Sequence, residues 1–434
     1  MTAAKYGFDT LKVRGGYDCK EHNQAVSVPI YQTAAFDLGT PDHAADLFTF
    51  SAPGFKYSRV ANPTVAALEK RVAALSGARG AVAVGSGMAA VTYTLFNVAE
   101  GGGRILTTPR LYGGTVDSFK KLYPTFGIGV DYVDSPDDPA SYEKAIGPQT
   151  RAIFVESLSN PNIEVADLEA LSAIAHAHGI PLIVDNTLAT PYLINPFEYG
   201  ADIVVYSATK GLNGHGNAIA GIVLEGGDFD WNSKIFPQFS QPYHTLRNRD
   251  GRDRTFLEVF PQFPFTARIR ANYLGYFGAA LGPFDAYLIL VGLETISERV
   301  SKQVRSAETI VHYLEDHPAV AWVNHPAARG SRYAALAAKY FPKGASSALS
   351  FGFKGTQTEN DHFLESLQLF GYQVNIGDAR SLIVNSPHTT HGELTSREQE
   401  IAGIAPETLR LSIGLEDPQD LVDDLDQAFA KAFA

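Results

Sequence analysis

Residues 183–216 read IVDNTLATPYLINPFEYGADIVVYSATKGLNGHG, and this stretch decides the fold. Two apolar runs rich in β-branched residues, at 180–184 and 203–206, predict two short buried strands. Asp185 follows the first run, and Lys210 comes shortly after the second. Because ligands bind at the carboxyl ends of the strands in open α/β sheets, we expect the carboxylate and the amine to face one crevice.

This pair of side chains fits the chemistry of pyridoxal phosphate (PLP). A lysine amine forms a Schiff base with a carbonyl cofactor, and a buried carboxylate keeps the pyridine nitrogen protonated, which makes the ring an electron sink. A desolvated lysine suits this role because its pKa shifts readily. The alternative is that Asp185 caps a turn and Lys210 is a solvated surface residue, since motifs of this length have many false positives.

Composition limits the classes of protein to which the chain can belong. Its 434 residues are 45% hydrophobic and 19% charged, which is the balance of a globular protein with a large core. The net charge of −12 argues against a general nucleic-acid or anionic-membrane partner.

The single cysteine, Cys19, excludes a disulfide framework within one chain and favours a reducing, cytoplasmic setting. There is no apolar leader or membrane-length run, and the twelve histidines show no metal-binding spacing, so we predict no metal site.

Strand-like and helical patterns alternate along much of the chain, which predicts an α/β fold whose mostly parallel sheet is covered by helices on both faces. Residues 1–64 lack a clear period and are rich in turn formers, so we interpret them as an extended N-terminal arm that contacts a neighbouring subunit. Residues 65–285 form the predicted large domain. Residues 286–434 form a predicted smaller α+β domain, which opens with one long helix over 286–316.

A glycine turn follows the first predicted strand of the large domain. Residues 81–84 are apolar, the turn contains Ser86, Gly87 and Met88, and an apolar helix is predicted over 89–98. A helix N-terminus with free amides binds phosphate, and Ser86 adds a hydroxyl. Such turns are common between a strand and a helix, but this one gains weight because PLP carries a phosphate.

Further polar side chains follow other predicted strands. Tyr112 and Asn160 each follow a strand, which places both near the rim that holds Lys210. Arg410 lies on a predicted strand of the smaller domain, and an arginine beside the crevice is suited to a bidentate grip on an amino-acid carboxylate. Taken alone, a surface position is the more common explanation for such an arginine.

The chain resembles the Cys/Met-metabolism family of PLP enzymes, which have fold type I. The likeness rests on motifs that follow one another in family order and are highly specific together. They are YSR at 57–59, NPT at 62–64, SGM at 86–88, LYGG at 111–114, ESLSNP at 156–161, VDNT at 184–187, YSATK at 206–210 and LRLSIGLE at 409–416. The resemblance covers nearly the whole chain and implies a PLP site.

The resemblance implies a role for each matching residue around the ring. Lys210 binds PLP covalently and later moves protons, and Tyr112 stacks on the ring and takes part in proton transfer. Asp185 pairs with the pyridine nitrogen, and Asn160 lies by the phenolic oxygen. Arg410 grips the substrate carboxylate.

The resemblance also implies a shared active site. Beside Ser86, the residues that hold the phosphate are Gly87, Met88, Ser207 and Thr209. Tyr57 and Arg59 reach the phosphate of the neighbouring subunit's cofactor, which implies an obligate dimer, usually paired into a tetramer. Ser381 lies beside the arginine that binds the substrate.

Within the family, the likeness is greatest to the O-acetylhomoserine sulfhydrylase branch, because of the chain length and two further motifs. These are NIGDARSL at 375–382 with TTH at 389–391, and LGPFDAY at 281–287 with GLET at 292–295. The branch carries out γ-replacement: sulfide, or a small thiol such as methanethiol, displaces acetate from O-acetyl-L-homoserine and gives homocysteine or methionine. Two alternatives stay open, namely a lyase that cleaves the C–S bond of methionine or cystathionine, and a non-catalytic protein that keeps the PLP fold.

One region departs from the branch. Tyr243-His244-Thr245 stands where the branch usually has Tyr-His-Gly, residues 246–254 are unusually charged, and FPQFP at 260–264 replaces an alanine-rich helix start. We interpret this region as a loop near the pocket entrance, with surface drift as the alternative.

Overall fold

A computed structural model of the chain describes residues 5–434, so residues 1–4 of the predicted arm lie outside the described residues. The large domain is built on a seven-stranded sheet. Its strands are β1 (Gly80–Val84), β2 (Arg104–Thr107), β3 (Gly129–Tyr132), β4 (Thr150–Glu156), β5 (Leu182–Asp185), β6 (Ile203–Ser207) and β7 (Gly221–Glu225). Their order across the sheet is β1-β7-β6-β5-β4-β2-β3. The pairs from β6 through β3 are parallel and β7 runs antiparallel to β6 and β1, so the predicted mostly parallel sheet is confirmed.

Both faces of this sheet are covered, which explains why its central strands read as continuous apolar runs. Successive side chains of a strand point to opposite faces. Val184 and Val204 therefore pack in one hydrophobic layer, whereas Ile183 and Val205 pack in the other. The helices of the arm and the large domain are α1 (Phe8–Arg14), α2 (Pro41–Phe48), α3 (Pro63–Ser76), α4 (Gly87–Ala99), α5 (Gly113–Lys121), α6 (Pro139–Ala145), α7 (Leu168–Ala177), α8 (Thr190–Leu193), α9 (Pro237–Ser240), α10 (Phe256–Val259), α11 (Pro264–Arg268) and α12 (Gly275–Phe277).

The smaller domain has its own sheet and its own hydrophobic core. Its elements are α13 (Pro283–Leu293), α14 (Ile296–Asp316), β8 (Val320–Asn324), α15 (Ala334–Tyr340), β9 (Ala348–Phe353), α16 (Gln357–Ser366), β10 (Gly371–Tyr372), β11 (Leu382–Asn385), α17 (Ser396–Ile401), β12 (Thr408–Ser412) and α18 (Pro418–Ala432). The strand order is β10-β11-β12-β9-β8. Strand β12, which carries Arg410, therefore lies at the centre of this sheet.

The prediction of one long helix over 286–316 was wrong, because the chain breaks into α13 and α14. Arg299, which is 5% exposed, stabilises the break. Its guanidinium donates to the carbonyl oxygen of Gly292 at 2.8 Å and to the side chain of Thr295 at 3.3 Å. In a continuous helix the Gly292 carbonyl oxygen would accept a hydrogen bond from a backbone N–H of the next turn. At the break it accepts from the charged Arg299 guanidinium.

The arm is less extended than the sequence indicates, because it contains α1 and α2. Helix α2 has Pro41 in its first turn and is capped by Thr40, whose hydroxyl accepts from His43 N–H. Helix α1 packs on its own chain, where the buried Lys12 amine donates to Ser297 Oγ at 2.5 Å. Contact of the arm with a neighbouring subunit stays a prediction.

The charged loop after Tyr243 fastens helix α2 to the large domain. Arg249 Nε donates to Asp46 Oδ1 at 2.7 Å, and Arg254 Nη2 donates to the carbonyl oxygen of Thr49 at 2.6 Å. The loop therefore braces the arm. Across residues 5–434, we find no helix whose length and apolar character would let it cross a membrane.

Candidate active site

Three neighbouring parallel strands end at one rim of the large sheet. Strand β4 ends at Glu156, β5 at Asp185 and β6 at Ser207, and Glu156 is the register partner of Asp185. Lys210 follows in the turn after β6. The structure thus brings the carboxylate and the amine into one crevice.

A cavity of about 280 Å³ opens at this rim, between the large sheet and the smaller domain. Ten of the residues predicted for the site line it. They are Ser86, Gly87, Met88, Tyr112, Asn160, Asp185, Ser207, Thr209, Lys210 and Arg410. The cavity wall is largely apolar, with Leu158, Leu188 and Ile376 among its members. Such a wall keeps water from the few polar groups and strengthens their interactions.

One end of the cavity is built to receive an anion. Ser86 caps α4, because its hydroxyl accepts from Ala89 N–H at 3.1 Å. The amides of the first helical turn therefore face the cavity with the positive end of the helix dipole. A Cβ atom at Gly87 would lie 2.6 Å from the Cβ of Ser207, so only glycine allows the helix to start this close to the strand.

The Lys210 side chain contacts the smaller domain. Its Nζ donates to Asn375 Oδ1 at 2.9 Å. Burial, and then the positive charge of Arg410, lower the pKa of Lys210 to about 8, against the opposing effect of Asp378. A substantial fraction of this amine is therefore neutral near physiological pH, as a nucleophile or a general base requires.

Asp185 is held by the turn that follows its strand. Its Oδ1 accepts from Thr187 N–H at 2.9 Å, and Thr187 Oγ1 accepts from Ser207 N–H at 2.8 Å. Burial raises the pKa of Asp185 to about 6. A cationic partner in the cavity would bring that pKa down, since an opposite charge favours the ionised carboxylate.

Arg410 is almost fully buried, with 3% of its surface exposed. Its Nη1 donates to Asn160 Oδ1 and its Nη2 to the carbonyl oxygen of Asn375, both at 2.9 Å. Its Nε is buried with no hydrogen-bond partner among residues 5–434. Burial lowers the pKa of Arg410 to about 10, so it stays charged. A buried guanidinium with a free donor calls for an anion such as a substrate carboxylate.

Comparison with known protein families decides what this constellation is. The model of the Cys/Met metabolism PLP-dependent enzymes matches residues 9–430. The chain belongs to this family. Its relatives include an O-acetyl-L-homoserine sulfhydrylase from Leptospira meyeri, 39% identical over 97% of this chain and 96% of the relative. They also include the sulfhydrylase FUB7 from Gibberella moniliformis, 40% identical over 98% of both chains.

Solved structures agree with this membership of the PLP-dependent family. A structure from Campylobacter jejuni, described as a candidate O-acetylhomoserine (thiol)-lyase with a pyridoxyl-lysine monophosphate at its position 205, has a TM-score of 0.93. It is 37% identical, over 98% of this chain and all of that one. The metB structure from Corynebacterium glutamicum has a TM-score of 0.83 at 27% identity, over 99% of both chains.

The residues present fit the cofactor of this PLP-dependent enzyme. The cavity offers an amine of lowered pKa at Lys210, a carboxylate at Asp185 and a helix N-terminus beside the hydroxyls of Ser207 and Thr209. A PLP molecule needs these three kinds of group, for its aldehyde, its ring nitrogen and its phosphate.

Three predicted site residues lie outside the cavity. Tyr57 is 46% exposed, and Arg59 Nη1 donates to the carbonyl oxygen of Gly275 at 2.8 Å, so neither reaches the cavity of its own chain. Ser381 is fully buried. Its hydroxyl donates to Glu416 Oε2 at 2.8 Å and accepts from Gly414 N–H at 2.9 Å, which leaves it no free donor for a substrate.

Two residues of the cavity wall were missed by the sequence analysis as functional groups. Glu156 accepts from Tyr112 N–H at 2.7 Å and from Asn160 N–H at 3.1 Å, and so joins two loops of the site. Asn375 is the partner of Lys210. Glu156 and Asn375 both belong to motifs on which the family resemblance rests. Membership of those motifs was the one feature of the sequence that could have indicated their roles. No cluster of three His, Cys, Asp or Glu side chains that could hold a metal occurs within the described part of the chain.

Neither the charged loop nor the segment after it borders the site. Among the described residues, no residue of 243–254 or of 260–264 lines the cavity. The interpretation of this region as part of the pocket entrance is therefore wrong for the chain's own cavity. Its arginines bind the arm instead.

Proposed function

We propose that the chain catalyses γ-replacement on O-acetyl-L-homoserine, with sulfide or a small thiol such as methanethiol as donor, giving homocysteine or methionine and acetate. The proposal rests on relatives named for this activity that share about 40% identity over nearly the full length. Further relatives are named homocysteine synthase, from Schizosaccharomyces pombe, and O-acetyl-L-homoserine sulfhydrylase, from Corynebacterium glutamicum. These names favour replacement over the lyase alternative.

The residue roles form part of this proposal. PLP, when bound, supplies an electron sink that stabilises negative charge on substrate carbons. Lys210 would hold it, Asp185 would pair with its ring nitrogen, and Asn160 would lie by its phenolic oxygen. The phosphate would be held by Ser86, Gly87, Met88, Ser207 and Thr209.

The protein's own groups then position the amino acid and move its protons. Arg410, which lines the cavity, binds the substrate carboxylate through its guanidinium. Lys210 Nζ takes the α-proton and returns a proton later, since its lowered pKa makes it a base near neutral pH. Tyr112, which lines the cavity and is 38% exposed, would stack on the ring and assist proton transfer. The apolar wall keeps water away from the carbon at which the thiol adds.

The assembly and the compartment are also proposed. Tyr57 and Arg59 do not line the cavity of their own chain, which supports a dimer in which they reach the phosphate site of the neighbouring subunit, with dimers pairing into a tetramer. Ser381 stays a proposed neighbour of the substrate site, and its hydroxyl is bound to Glu416. The single cysteine, Cys19, supports a cytoplasmic location.

Product analysis tests the proposal. PLP-loaded protein is given O-acetyl-L-homoserine with and without sulfide. Homocysteine and acetate that form only with sulfide are the expected result. Keto acid and ammonia released without sulfide would instead show a lyase, and no turnover with any candidate amino acid would show a non-catalytic protein.

A further inference from the structure

A loop of the smaller domain, residues 374–380, lies directly against the turn that carries Lys210. Gly377 has a φ of +69°, and a Cβ atom there would lie 2.8 Å from the backbone nitrogen of Gly211. Only glycine therefore permits this approach. The Gly377 N–H donates to Ser412 Oγ at 2.9 Å, which fixes the loop on strand β12. The loop is held rigidly where Lys210 can reach it.

The amide of Asn375 in this loop has one possible orientation. Lys210 Nζ donates to Asn375 Oδ1 at 2.9 Å, and a lysine amine near neutral pH is chiefly a donor. On the other side, Asn375 Nδ2 donates to Asp378 Oδ2 at 3.2 Å, and an ionised carboxylate only accepts. The amide thus lies between a donor and an acceptor, with its oxygen turned toward Lys210.

Asp378 is itself fixed from the other side. It is 3% exposed. Its Oδ1 accepts from Arg380 N–H at 3.0 Å and lies 2.9 Å from Arg380 Nη2. Gln303 Nε2 donates to the Asp378 carbonyl oxygen at 2.7 Å. One carboxylate oxygen is therefore committed to Arg380, and the other accepts from Asn375, its one hydrogen-bond partner within residues 5–434.

We propose that Asn375 is a positioning residue for Lys210, and that Asp378 sets the orientation of its amide. The inference rests on the proposed function, in which the substrate nitrogen replaces Lys210 on the cofactor. In that exchange the C=N bond to Lys210 would break and a C=N bond to the substrate nitrogen would form. With both linkages protonated and the incoming amine neutral, one proton moves from the substrate nitrogen to Lys210 Nζ, which leaves as a neutral amine. The released amine is received by Asn375 Oδ1, which keeps it beside the substrate.

The test is the binding of α-methyl-L-methionine to PLP-loaded protein. This amino acid can displace Lys210 but has no α-proton to lose, so a spectral titration of the cofactor reports the displacement equilibrium alone. Asn375→Ala removes the acceptor for the released amine and keeps the main-chain oxygen that binds Arg410. We expect its apparent Kd to rise about 2- to 10-fold, the effect of one lost hydrogen bond between neutral groups.

A second variant disturbs the contact between Asn375 and Lys210 by changing Asp378, a residue that does not line the cavity. In Asp378→Asn the side-chain oxygen stays with the two Arg380 donors, so its NH₂ group faces Asn375. The Asn375 amide then turns its oxygen toward residue 378 and its NH₂ toward Lys210, so the amine loses its acceptor and meets this amide only through the lone pair that it needs as a base. We expect a rise in Kd similar to that of Asn375→Ala. Gln373→Ala, an exposed change immediately before this loop, is the matched control and should bind like the unchanged chain.

A ligand without an amino group distinguishes a loss of Lys210 positioning from general damage to the cavity. The analogue 4-(methylthio)butanoate cannot displace Lys210 and should bind the unchanged chain and all variants alike, with equal PLP content. Wild-type affinity of Asn375→Ala for α-methyl-L-methionine, or equal weakening of both ligands, would overturn the inference. If Asn375→Ala does not fold, Asp378→Asn decides by the same criteria. Failure of the proposed function shows separately, as unchanged protein that makes no homocysteine from O-acetyl-L-homoserine and sulfide.

Discussion

Glu156 and Asp185 are register partners on the neighbouring strands β4 and β5, so two carboxyl groups lie side by side in the cavity wall. Burial, and then the charge of Asp185, raise the pKa of Glu156 well above its ordinary value. The pKa of Asp185 rises only to about 6. Of the two carboxyl groups, Asp185 is therefore the one that ionises more readily, and an ionised Asp185 is the partner that a protonated ring nitrogen needs.

Replacing Asp185 should separate stability from activity. Folding raises the pKa of the Asp185 carboxyl from 3.8 to about 6, so its ionisation favours the unfolded chain. The free energy of unfolding therefore falls as the pH rises from 3.8 to about 6, and the full loss persists at higher pH. Asp185→Asn should therefore stabilise the PLP-free chain above that range by up to about 3 kcal/mol, and have little effect below it. Urea unfolding at an acidic and at a mildly alkaline pH measures this difference.

The same variant should be catalytically poor. PLP-loaded Asp185→Asn is expected to lose about 100-fold in kcat, because the ring nitrogen has no anionic partner. A variant that is less stable than the unchanged chain at mildly alkaline pH, or that keeps full kcat, would contradict the role given to Asp185.

The rate should follow the ionisation of Lys210. Because a lysine acts as a base only when neutral, kcat is expected to rise with pH and to level off above about 8, the lowered pKa of Lys210. Asp378→Asn removes a negative charge that opposes this lowering, so its profile should move to lower pH. A steady-state profile at saturating substrate measures both. A rise centred near 10.5, the ordinary lysine value, would show that the amine is not desolvated.

Arg410 should not tolerate a lysine. Its guanidinium binds Asn160 and Asn375 while its Nε stays free, and a lysine amine cannot reproduce this fork. Arg410→Lys is expected to raise KM for O-acetyl-L-homoserine by about 10- to 100-fold, the cost of a charge-assisted bidentate contact. Arg397→Lys, at an exposed arginine outside the cavity wall, is the control and should keep KM. Equal KM values for the two variants would contradict the assignment.

Glu156 should prove necessary for the shape of the site. It accepts from two backbone N–H groups, those of Tyr112 and Asn160, with one oxygen each. Glu156→Gln presents only one acceptor oxygen, so one of these N–H groups loses its partner. We expect a loss of about 1–3 kcal/mol in the free energy of unfolding and a fall in kcat. A variant as stable as the unchanged chain in urea would show that neither contact matters.

The central pair of the site could be predicted from local sequence, because its position follows from strand ends. Apolar runs of four or five residues locate β5 and β6 to within two residues, and parallel strands bring their carboxyl ends to one rim. That geometry places Asp185 and Lys210 together without any knowledge of the rest of the chain. The PLP cofactor followed from the family resemblance and is confirmed by the family match.

Other features depend on contacts between distant segments and were beyond sequence reasoning. The apolar period of α13 runs on into α14, and the break between them is stabilised by Arg299, whose partners no spacing rule reveals. Asn375 lies 165 residues from Lys210, and only the folded chain shows their contact. The sequence predicted that the charged loop lies at the entrance, but the partners of its arginines, in α2 and at the residue after it, lie about 200 residues away in sequence.

The attachment of the cofactor to Lys210 is the claim on which the whole account depends, and borohydride reduction tests it most directly. Reduction fixes PLP on the nitrogen to which it is bound, and peptide mass spectrometry locates the label. We predict one reduced PLP group per chain, on the peptide that contains Lys210, and none at that peptide in Lys210→Ala. A label on another lysine, or PLP that binds without any covalent label, would contradict the account.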